Sequence, residues 1–314
     1  MNADEVGEQV NADSVFRIGS THAVCQDYAV AGDCTAAISR GDGACAPRGP
    51  YAILSDGCSS SPDTDTGARL LVKAAERLLR ESGGPDASGL AALHAEAARL
   101  ALSWAGLLGL APQAVDATLL TAHLCGDELI VGCSGDGVVC LQTREGALDV
   151  YSVSYPAGYP VYPAYAQQPA RLRALAEAGR ARKELTRLRA DACGERLRAD
   201  SIEGRLRRAE VSDGGALTEV FAVEADGYEF ASLFSDGIHS FSQTARSEAA
   251  SRNANAAGRS EAVPFESVLP ELVSFKNTRG AFVGRRMNGF LKDCGLRGWR
   301  HADDLALAAL HLGG

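Results

Sequence analysis

The spacing of hydrophobic residues changes several times along the chain, and each change predicts a new element. Residues 51–54 (YAIL) form a short apolar run that leads into Asp56-Gly57 and then into a loop of Ser, Asp, Pro and Thr. A run of this length, bounded by turn residues, predicts a buried strand. Residues 67–80 and 90–108 instead place apolar side chains three or four positions apart, which is typical of amphipathic helices. This helix pair is therefore predicted to cover one face of a sheet.

Residues 116–153 show no helical period and predict a series of short antiparallel strands. Their apolar runs, ATLLTAHL, ELIVGCS, VVCLQT and ALDVYSV, are separated by glycine-containing turns or short loops. Further strands are predicted after Asp27, before Asp236 and after Asp304, and helices return within residues 264–295. Groups of strands separated by pairs of helices favour a layered α+β sandwich over a doubly wound parallel sheet.

Acidic residues stand at the ends of five predicted strands. Three end an apolar run and precede a glycine, one opens the YAVA run, and an Asp-Asp pair opens the last run: Asp56, Asp136, Asp236, Asp27, Asp303 and Asp304. A single Asp-Gly pair after a strand is most simply a turn. Five such strand ends are explained together by a shared site for a hard cation that prefers oxygen ligands, such as Mg²⁺, Mn²⁺ or Ca²⁺.

The composition narrows the class of protein. The chain has 314 residues, 46% of them hydrophobic, which is enough for a substantial core. Its net charge of −9 and isoelectric point near 5.2 argue against nucleic acid or an anionic membrane as the main partner.

Residues 1–14 lack the basic and apolar regions of a signal peptide, and no apolar run approaches the roughly 20 residues that span a bilayer. Nine cysteines with no C-x-x-C pair predict reduced thiols, mostly small core residues, in a cytoplasmic protein.

Residues 168–210 differ in composition from the rest of the chain. They contain twelve basic and seven acidic side chains, and leucines recur between the arginines. We interpret this segment, the insert, as one or two helices with a basic face. Such a face can be merely solvated, or it can be a lid or docking surface for an acidic or phosphorylated partner.

Taken together, the short motifs resemble those of the metal-dependent serine/threonine protein phosphatases of type 2C. The resemblance is closest to the bacterial subgroup with a Cys-Gln-Asp start and an Asp-Asp end. The motifs follow the family's order and cover nearly the whole chain apart from the insert: GSTHAVCQD, AILSDGCSSSPDTDTGAR, DATLLTAHL with GCSGDG, SLFSDGIHSF and HADDLALAAL. The resemblance implies one phosphatase-like domain over residues 1–314, a four-layer α/β/β/α sandwich with two central antiparallel sheets flanked by helix pairs. Residues 155–215 would form its flap region, with the insert as an Arg-rich helical part.

The resemblance also implies ligands for two Mn²⁺ or Mg²⁺ ions between the sheets. Asp56 would bridge both ions, and the carbonyl of Gly57 would complete the coordination of one of them. Asp236 and Asp303 would hold the second ion, with Asp304 left open as the alternative to Asp303. These assignments are what the family pattern implies at the matching positions.

Two further acids and one histidine complete the implied site. Asp27 would act in the outer shell through water, and Asp136 matches the acid of an additional, weaker metal site. Asp27 and His22 are therefore counted with Asp56 among the predicted catalytic residues. His22 stands where the common pattern has a phosphate-gripping arginine, so it is either a phosphate or leaving-group contact or a structural residue at a strand end.

Two other positions depart from the common family pattern. Gln26 replaces the metal-binding glutamate, and Cys58 replaces the histidine that often follows the Asp-Gly pair as proton donor. Arg17 or a residue of the insert could take over phosphate binding. These departures bear on phosphate affinity and on the charge at one metal.

The predicted function is the hydrolysis of phosphoserine and phosphothreonine in proteins. Paired cations would neutralise the phosphate charge and activate water for in-line attack, so no Ser or Cys nucleophile and no phosphoenzyme is needed. The predicted partners are a phosphorylated protein substrate and a partner serine/threonine kinase, in a signalling role. The departures at His22, Gln26 and Cys58 leave open an alternative: a phosphatase-like regulatory or phosphoprotein-binding module with little or no turnover.

Overall fold

The computed structural model describes residues 11–33, 49–190, 207–210, 217–244 and 260–313. Its α-helices are α1 (Thr64–Ser82), α2 (Ala87–Leu107), α3 (Pro169–Glu177), α4 (Phe265–Leu272) and α5 (Phe282–Arg297). Its strands are β1 (Asn11–Arg17), β2 (Tyr28–Asp33), β3 (Pro50–Ser55), β4 (Leu119–Cys125), β5 (Glu128–Ser134), β6 (Gly137–Thr143), β7 (Leu148–Ser154), β8 (Arg182–Ala190), β9 (Arg207–Glu210), β10 (Thr218–Glu224), β11 (Tyr228–Phe234), β12 (Phe241–Thr244), β13 (Ser260–Ala262), β14 (Trp299–His301) and β15 (Leu305–His311).

Two large antiparallel sheets form the centre of the fold. The seven-stranded sheet has the order β1-β15-β11-β6-β7-β8-β9, the five-stranded sheet the order β10-β5-β4-β3-β2, and a small third sheet the order β13-β12-β14. Strand β15 lies inside the larger sheet and is buried on both faces. Its residues alternate between two cores, three in each: Ala306, Ala308 and Leu310 on one side, Leu305, Leu307 and Ala309 on the other.

Helices cover the outer faces of both sheets. Helices α1 and α2 pack on the five-stranded sheet, and α5, with α4 beside it, packs on β1 and β15 of the seven-stranded sheet. One core fills the space between the sheets and beneath α1 and α2, and the second lies beneath α4 and α5. The predicted α+β sandwich with two central antiparallel sheets flanked by helix pairs is therefore confirmed.

The ends of α1 and α2 show why these helices form where they do. Helix α1 ends at Gly83, whose φ of 78° is the left-handed cap that glycine adopts without strain. Helix α2 begins after Asp86, whose side chain accepts a hydrogen bond from the N–H of Gly89. His123 contacts the connection between the two helices: its Nε2 lies 2.7 Å from the carbonyl oxygen of Pro85. The two predicted helices are confirmed, and the observed ones begin three residues earlier than predicted.

The insert is only partly helical. Residues 169–177 form α3 as predicted, but the helix prediction is wrong over residues 182–190, which form β8 at the side of β7. These residues pair with β7 in an antiparallel ladder from Glu184 to Ala190, so the neighbouring strand and not the local pattern decides their conformation. Residues 191–206 of the insert lie outside the described residues.

Strand β10 was not predicted from the sequence. It pairs with β5 over seven residues and completes the five-stranded sheet. Its sequence, TEVFAVE, places four consecutive apolar residues, 220–223, between polar ends, and this short apolar run was the available signal.

Candidate metal centre

The register of the five-stranded sheet brings two of the predicted acids together. Asp27 immediately precedes β2 and Asp56 immediately follows β3, and Tyr28 is paired with Ser55 in the ladder between these strands. Because the strands run antiparallel, the start of β2 and the end of β3 lie at the same end of the sheet. Both carboxylates therefore project from one end of the sandwich.

The seven-stranded sheet supplies the remaining acids at the same end. Asp236 follows β11 after one residue, and Asp303 and Asp304 immediately precede β15. Phe234 pairs with both Leu307 of β15 and Val138 of β6, so the end of β11 meets the starts of its two neighbours. The turn before β6 contains Asp136, which completes the group: Asp27, Asp56, Asp136, Asp236, Asp303 and Asp304, called here the carboxylate cluster.

Two glycines allow the backbone segments around the carboxylate cluster to touch. A Cβ atom at Gly237 would lie 1.7 Å from the carbonyl oxygen of Asp304, and one at Gly19 would lie 2.3 Å from that of Ala302. No other residue fits either position without moving backbone. The glycine after Asp236 is therefore required by close approach of the chain rather than by a turn alone.

Burial and mutual repulsion perturb the acids of the five-stranded sheet. Burial, followed by the negative charges of Asp27, Asp236 and Asp136, raises the pKa of Asp56 well above its usual range. Burial is also the main cause that raises the pKa of Asp27 to about 8, against a hydrogen bond from Ser235 that opposes the shift. These two carboxyls are thus held where ionisation is unfavourable.

The acids of the other sheet are perturbed in the same direction. Burial and then the charge of Asp236 raise the pKa of Asp136 to about 7. The same two causes, in the same order, raise the pKa of Asp303. Asp236 contributes to the shift of Asp27, Asp56, Asp136 and Asp303 alike, which places it at the centre of the group.

Several carboxylate oxygens in the cluster are available to a ligand. Asp27 is buried, and its Oδ2 accepts a hydrogen bond of 2.6 Å from Ser235 Oγ. Its Oδ1 and the Oδ1 of Asp236 are buried and receive no hydrogen bond from the described part of the chain. Asp56, Asp136 and Asp236 are each partly open to solvent. Buried oxygens without donors next to an open mouth are the arrangement that a cation would satisfy.

Asp303 and Asp304 differ in their surroundings. Asp304 is buried, and its two oxygens accept the backbone N–H groups of Gly19 (2.7 Å) and Gln26 (2.6 Å). Asp303 is 43% exposed, and its Oδ1 accepts the N–H of Asp304 at 2.9 Å. Asp304 therefore attaches the loop between β1 and β2 to the start of β15, whereas the side chain of Asp303 is exposed to solvent.

His22 and Gln26 reach this site from the same loop. His22 Nδ1 lies 3.0 Å from Asp304 Oδ2 and Nε2 lies 3.5 Å from Asp303 Oδ1. The contact with Asp304, opposed by burial, raises the pKa of His22. The side chain of Gln26 donates to Thr64 Oγ1 (2.9 Å), which itself donates to the carbonyl of Cys58.

The loop after β3 holds Gly57 in a strand-like bridge to Ala117. The two hydrogen bonds of this bridge are made by its neighbours: Thr118 N–H donates to Asp56 O, and Cys58 N–H donates to Asp116 O, each at 2.8 Å. The carbonyl of Gly57 is not used by this bridge. A Cβ atom there would lie 2.7 Å from the carbonyl oxygen of Thr64, so the loop requires glycine.

The residues present fit a divalent cation site in their chemistry. Oxygen donors from both sheets converge, their like charges repel, and bound Mn²⁺ or Mg²⁺ would relieve that repulsion. In the described parts of the chain, no three His, Cys, Asp or Glu side chains lie in a ready-made ion-binding group.

Sequence reasoning missed several contacts that shape the site. Ser235 bonds Asp27 and also accepts the N–H of Ala306 (2.8 Å), so it joins the two sheets. Arg171 of the insert forms an ion pair with Asp116, with Nη2 2.6 Å from Oδ2. The only sequence signal for Ser235 was the repeated Ser-Asp-Gly at the ends of two strands. No local pattern connects Arg171 with Asp116, because they are distant in sequence.

Arg17, at the end of β1, is bonded to helix α5. Its guanidinium donates to Asn288 Oδ1 of α5 (2.6 Å) and to the carbonyl of Phe16. Of the insert's arginines, Arg187 and Arg189 lie 3.5 and 3.7 Å from Asp149, on β7. Phosphate binding by Arg17 or by a residue of the insert stays a prediction.

The fold and this end of the sandwich define a class of protein, the metal-dependent protein phosphatases. The sequence profile of the Protein phosphatase 2C family matches residues 20–254, three quarters of the chain. The chain belongs to this family. Members of the family act on phosphorylated proteins and depend on divalent Mn²⁺ or Mg²⁺.

Solved structures of bacterial phosphatases have the same fold. The serine/threonine phosphatase Stp1 from Staphylococcus aureus matches with a TM-score of 0.53 and 9% identity over 100% of this chain and 99% of that one. The S. agalactiae serine/threonine phosphatase matches with a TM-score of 0.52 and 11% identity over 96% of this chain and 99% of that one. A bacterial serine phosphatase matches with a TM-score of 0.52 and 8% identity over 98% of this chain and 99% of that one. At these identities the likeness concerns the fold alone.

Three further findings concern the chain as a whole or its described part. No curated protein matches the chain in sequence. In the portion that the structure describes, no helix combines the length and apolar character needed to cross a membrane. The described cysteines, Cys25, Cys58, Cys125, Cys133, Cys140 and Cys294, are free thiols.

Proposed function

We propose that this protein hydrolyses phosphoserine and phosphothreonine in proteins, with water activated by two bound cations and no phosphoenzyme. The observation that supports this most is the carboxylate cluster, in which acids from both sheets converge and two buried oxygens receive no hydrogen bond from the described residues. When bound, the cations would neutralise the phosphate and lower the pKa of a water molecule to near neutrality.

We assign the metal ligands by position. Asp56 and the carbonyl of Gly57 would serve the ion of the five-stranded sheet, with Asp56 shared between both ions. Asp236 and Asp303 would serve the second ion. Asp303 is chosen over Asp304 because both oxygens of Asp304 already accept backbone N–H groups. Asp136, partly open beside Asp236, would serve an additional, weaker site.

Other residues of the site would act through hydrogen bonds and charge. His22 is a cation next to Asp303 when protonated, and it would face the phosphate in place of the family's arginine. Asp27 would orient water through its Oδ1, because its Oδ2 is held by Ser235. Gln26 would contribute no charge, and its contact with Thr64 fixes the start of α1 instead.

Cys58 has no role as a nucleophile in this proposal. Its thiol lies 3.1 Å from Ser60 Oγ. Burial opposes ionisation, but hydrogen bonds with Ser60 and Tyr162 outweigh it and lower the pKa of the thiol. Replacing Cys58 with serine should therefore reduce the rate modestly, and mass spectrometry during turnover should find no phosphocysteine. A trapped phosphocysteine would overturn the mechanism.

A direct assay tests the proposal. The purified protein should hydrolyse p-nitrophenyl phosphate and phosphoserine or phosphothreonine peptides when Mn²⁺ is added, and chelation should abolish the activity. Metal binding without turnover, seen by calorimetry, would instead favour the regulatory or phosphoprotein-binding module. Neither binding nor turnover would contradict both.

We also propose that the insert docks the phosphoprotein substrate. Arg173 and Arg180 are exposed on and just after α3, and exposed guanidinium groups suit phosphate or carboxylate partners. The double variant Arg173→Gln/Arg180→Gln should slow turnover of an acidic phosphoprotein while leaving p-nitrophenyl phosphate unaffected. Added salt should narrow this difference, because exposed charges are screened over about 8–10 Å at physiological ionic strength. Equal losses on both substrates would contradict docking.

A further inference from the structure

Asp116 fastens the segment that follows Gly57. It is fully buried between a short 3₁₀ turn, residues 112–115, and β4. Its backbone carbonyl accepts the N–H of Cys58 at 2.8 Å, and its Oδ2 accepts the hydroxyl of Ser61 at 2.9 Å. One buried residue thus holds both ends of residues 58–61, called here the metal loop.

Arg171 is the partner that neutralises Asp116. Its Nη1 and Nη2 donate to the two carboxylate oxygens at 2.8 and 2.6 Å, a bidentate pair of fixed geometry. The guanidinium also lies 4.4 Å from the ring centre of Tyr165, which is buried. Helix α3 has no fully buried side chain, and this ion pair joins it to the body of the protein.

A second contact joins the same two regions. The buried side chain of Tyr162 lies beside Cys58, and its hydroxyl helps to lower the pKa of the Cys58 thiol. Residues 162–171 therefore contact the metal loop at both its thiol and its buried carboxylate anchor. These contacts lie outside the carboxylate cluster itself.

We propose that Arg171 is a positioning residue for the metal loop: by neutralising Asp116 it keeps residues 58–61, and with them the carbonyl of Gly57, in place for the cation. Without Arg171 a buried carboxylate would lose its counter-charge and would turn toward water, which loosens the bonds to Cys58 and Ser61. This inference rests on the proposed function only for its effect on metal binding.

Hydrogen exchange in the metal-free protein tests the positioning role directly. The variant Arg171→Gln should exchange the amides of residues 57–61 several-fold faster than wild type, while Arg171→Lys should recover part of the protection. Arg173→Gln is the matched control, because it removes an exposed arginine two positions along the same helix. Peptides from β11 serve as an internal reference for global stability.

Calorimetric titration with Mn²⁺ alone supplies the second readout. Binding should weaken several-fold in Arg171→Gln and remain unchanged in Arg173→Gln. If p-nitrophenyl phosphate is hydrolysed, the variant should need more Mn²⁺ for half-maximal activity, with kcat at saturating metal much less affected. Unchanged exchange and unchanged Mn²⁺ affinity would overturn the proposal.

The double variant Arg171→Gln/Asp116→Asn covers the case in which the single variant is unstable. An uncharged amide pair retains hydrogen bonding without a buried charge, so protection of the metal loop should return in part. Faster exchange in β11 to the same degree as in the metal loop would show a general loss of stability and overturn the positioning role. An inactive wild type with a protected metal loop would contradict the proposed function alone.

Discussion

Two buried polar clusters in this protein differ in whether their polar groups have hydrogen-bond partners. The carboxylate cluster gathers like charges, and some of its oxygens receive no hydrogen bond from the described residues. The second cluster, called here the histidine network, lies beneath α2. His94 is fully buried there, with Nδ1 2.8 Å from Ser134 Oγ and Nε2 2.8 Å from Thr121 Oγ1, and Ser134 Oγ lies 2.8 Å from Thr218 Oγ1.

The difference separates a binding site from a structural contact. In the histidine network both ring nitrogens have partners and burial lowers the pKa of His94 to about 3, so the ring stays neutral. In the carboxylate cluster burial and repulsion raise pKa values, so the charged state is costly until a cation arrives. Buried polar groups that satisfy one another stabilise the fold, whereas those that need an outside partner indicate a ligand.

Removing a central carboxylate should have the largest effect. Asp236→Asn or Asp56→Asn should lower Mn²⁺-dependent hydrolysis more than ~100-fold, because even groups that merely support a ligand are worth 10–100-fold. The metal-free variants should be as stable as wild type or slightly more stable, since repulsion is relieved. Asp149→Asn is the matched control, a buried acid paired with Arg187 away from the cluster. Near wild-type activity in either cluster variant would contradict the two-metal assignment.

A bound cation should stabilise the protein through the carboxylate cluster and not through the histidine network. Mn²⁺ at a hundred times its Kd should raise the free energy of unfolding by about 2.7 kcal/mol, as expected when a ligand binds the folded state alone. Thermal unfolding with and without chelator measures this as a shift in Tm. The shift should persist in His94→Leu and disappear in Asp236→Asn. An equal shift in both variants would place the cation elsewhere.

Breaking the histidine network should reduce stability without changing the chemistry. His94→Leu leaves Thr121 Oγ1 without its partner, and an unsatisfied buried group lowers the free energy of unfolding by about 1–3 kcal/mol. Thr218→Val should have a smaller effect, because Ser134 keeps its bond to His94. Urea unfolding compares the two, and kcat per folded molecule should match wild type. A loss of kcat in the folded His94 variant would link this network to the site.

The two clusters should respond to pH in opposite directions. Folding raises the pKa of Asp27 from 3.8 to about 8, so its contribution to stability is full below about 3.8 and is lost as pH rises through 8. Folding lowers the pKa of His94 from 6.5 to about 3, so its contribution is full above 6.5 and is lost as pH falls toward 3. Asp27→Asn should flatten the fall in stability between about pH 3.8 and 8 in the metal-free protein, and His94→Leu should flatten the rise in stability between about pH 3 and 6.5. Urea unfolding at several pH values would show whether these two pH dependences of the free energy of unfolding can be separated.

The sequence predicted the layers and the acids because both depend on local patterns. Alternation in the 119–154 meander and helical spacing in α1 depend only on neighbours a few residues apart. The acids were recognisable because Asp56 and Asp236 share a Ser-Asp-Gly ending and because the motifs follow a family's order. The ion pair of Arg171 with Asp116 and the different hydrogen-bond partners of Asp303 and Asp304 depend on contacts between segments that are distant in sequence. Local patterns therefore could not predict them.

The insert shows where local pattern failed. Arginine and leucine occur in helices and in edge strands alike, and residues 182–190 form a strand because β7 offers an open edge. Such a partner cannot be identified from the segment itself.

The antiparallel register at the carboxylate end has a consequence for how this chain can change in length. Asp303 and Asp236 are aligned because Leu307 pairs with Phe234. One residue inserted within β15 would shift the pairing by about 3.3 Å and send every following side chain to the opposite face. The connection between β2 and β3 leaves from the other end of the sheet, where added residues change no carboxylate position. Residues can therefore be added in that connection without moving a carboxylate, whereas the paired strands that set the register cannot lengthen.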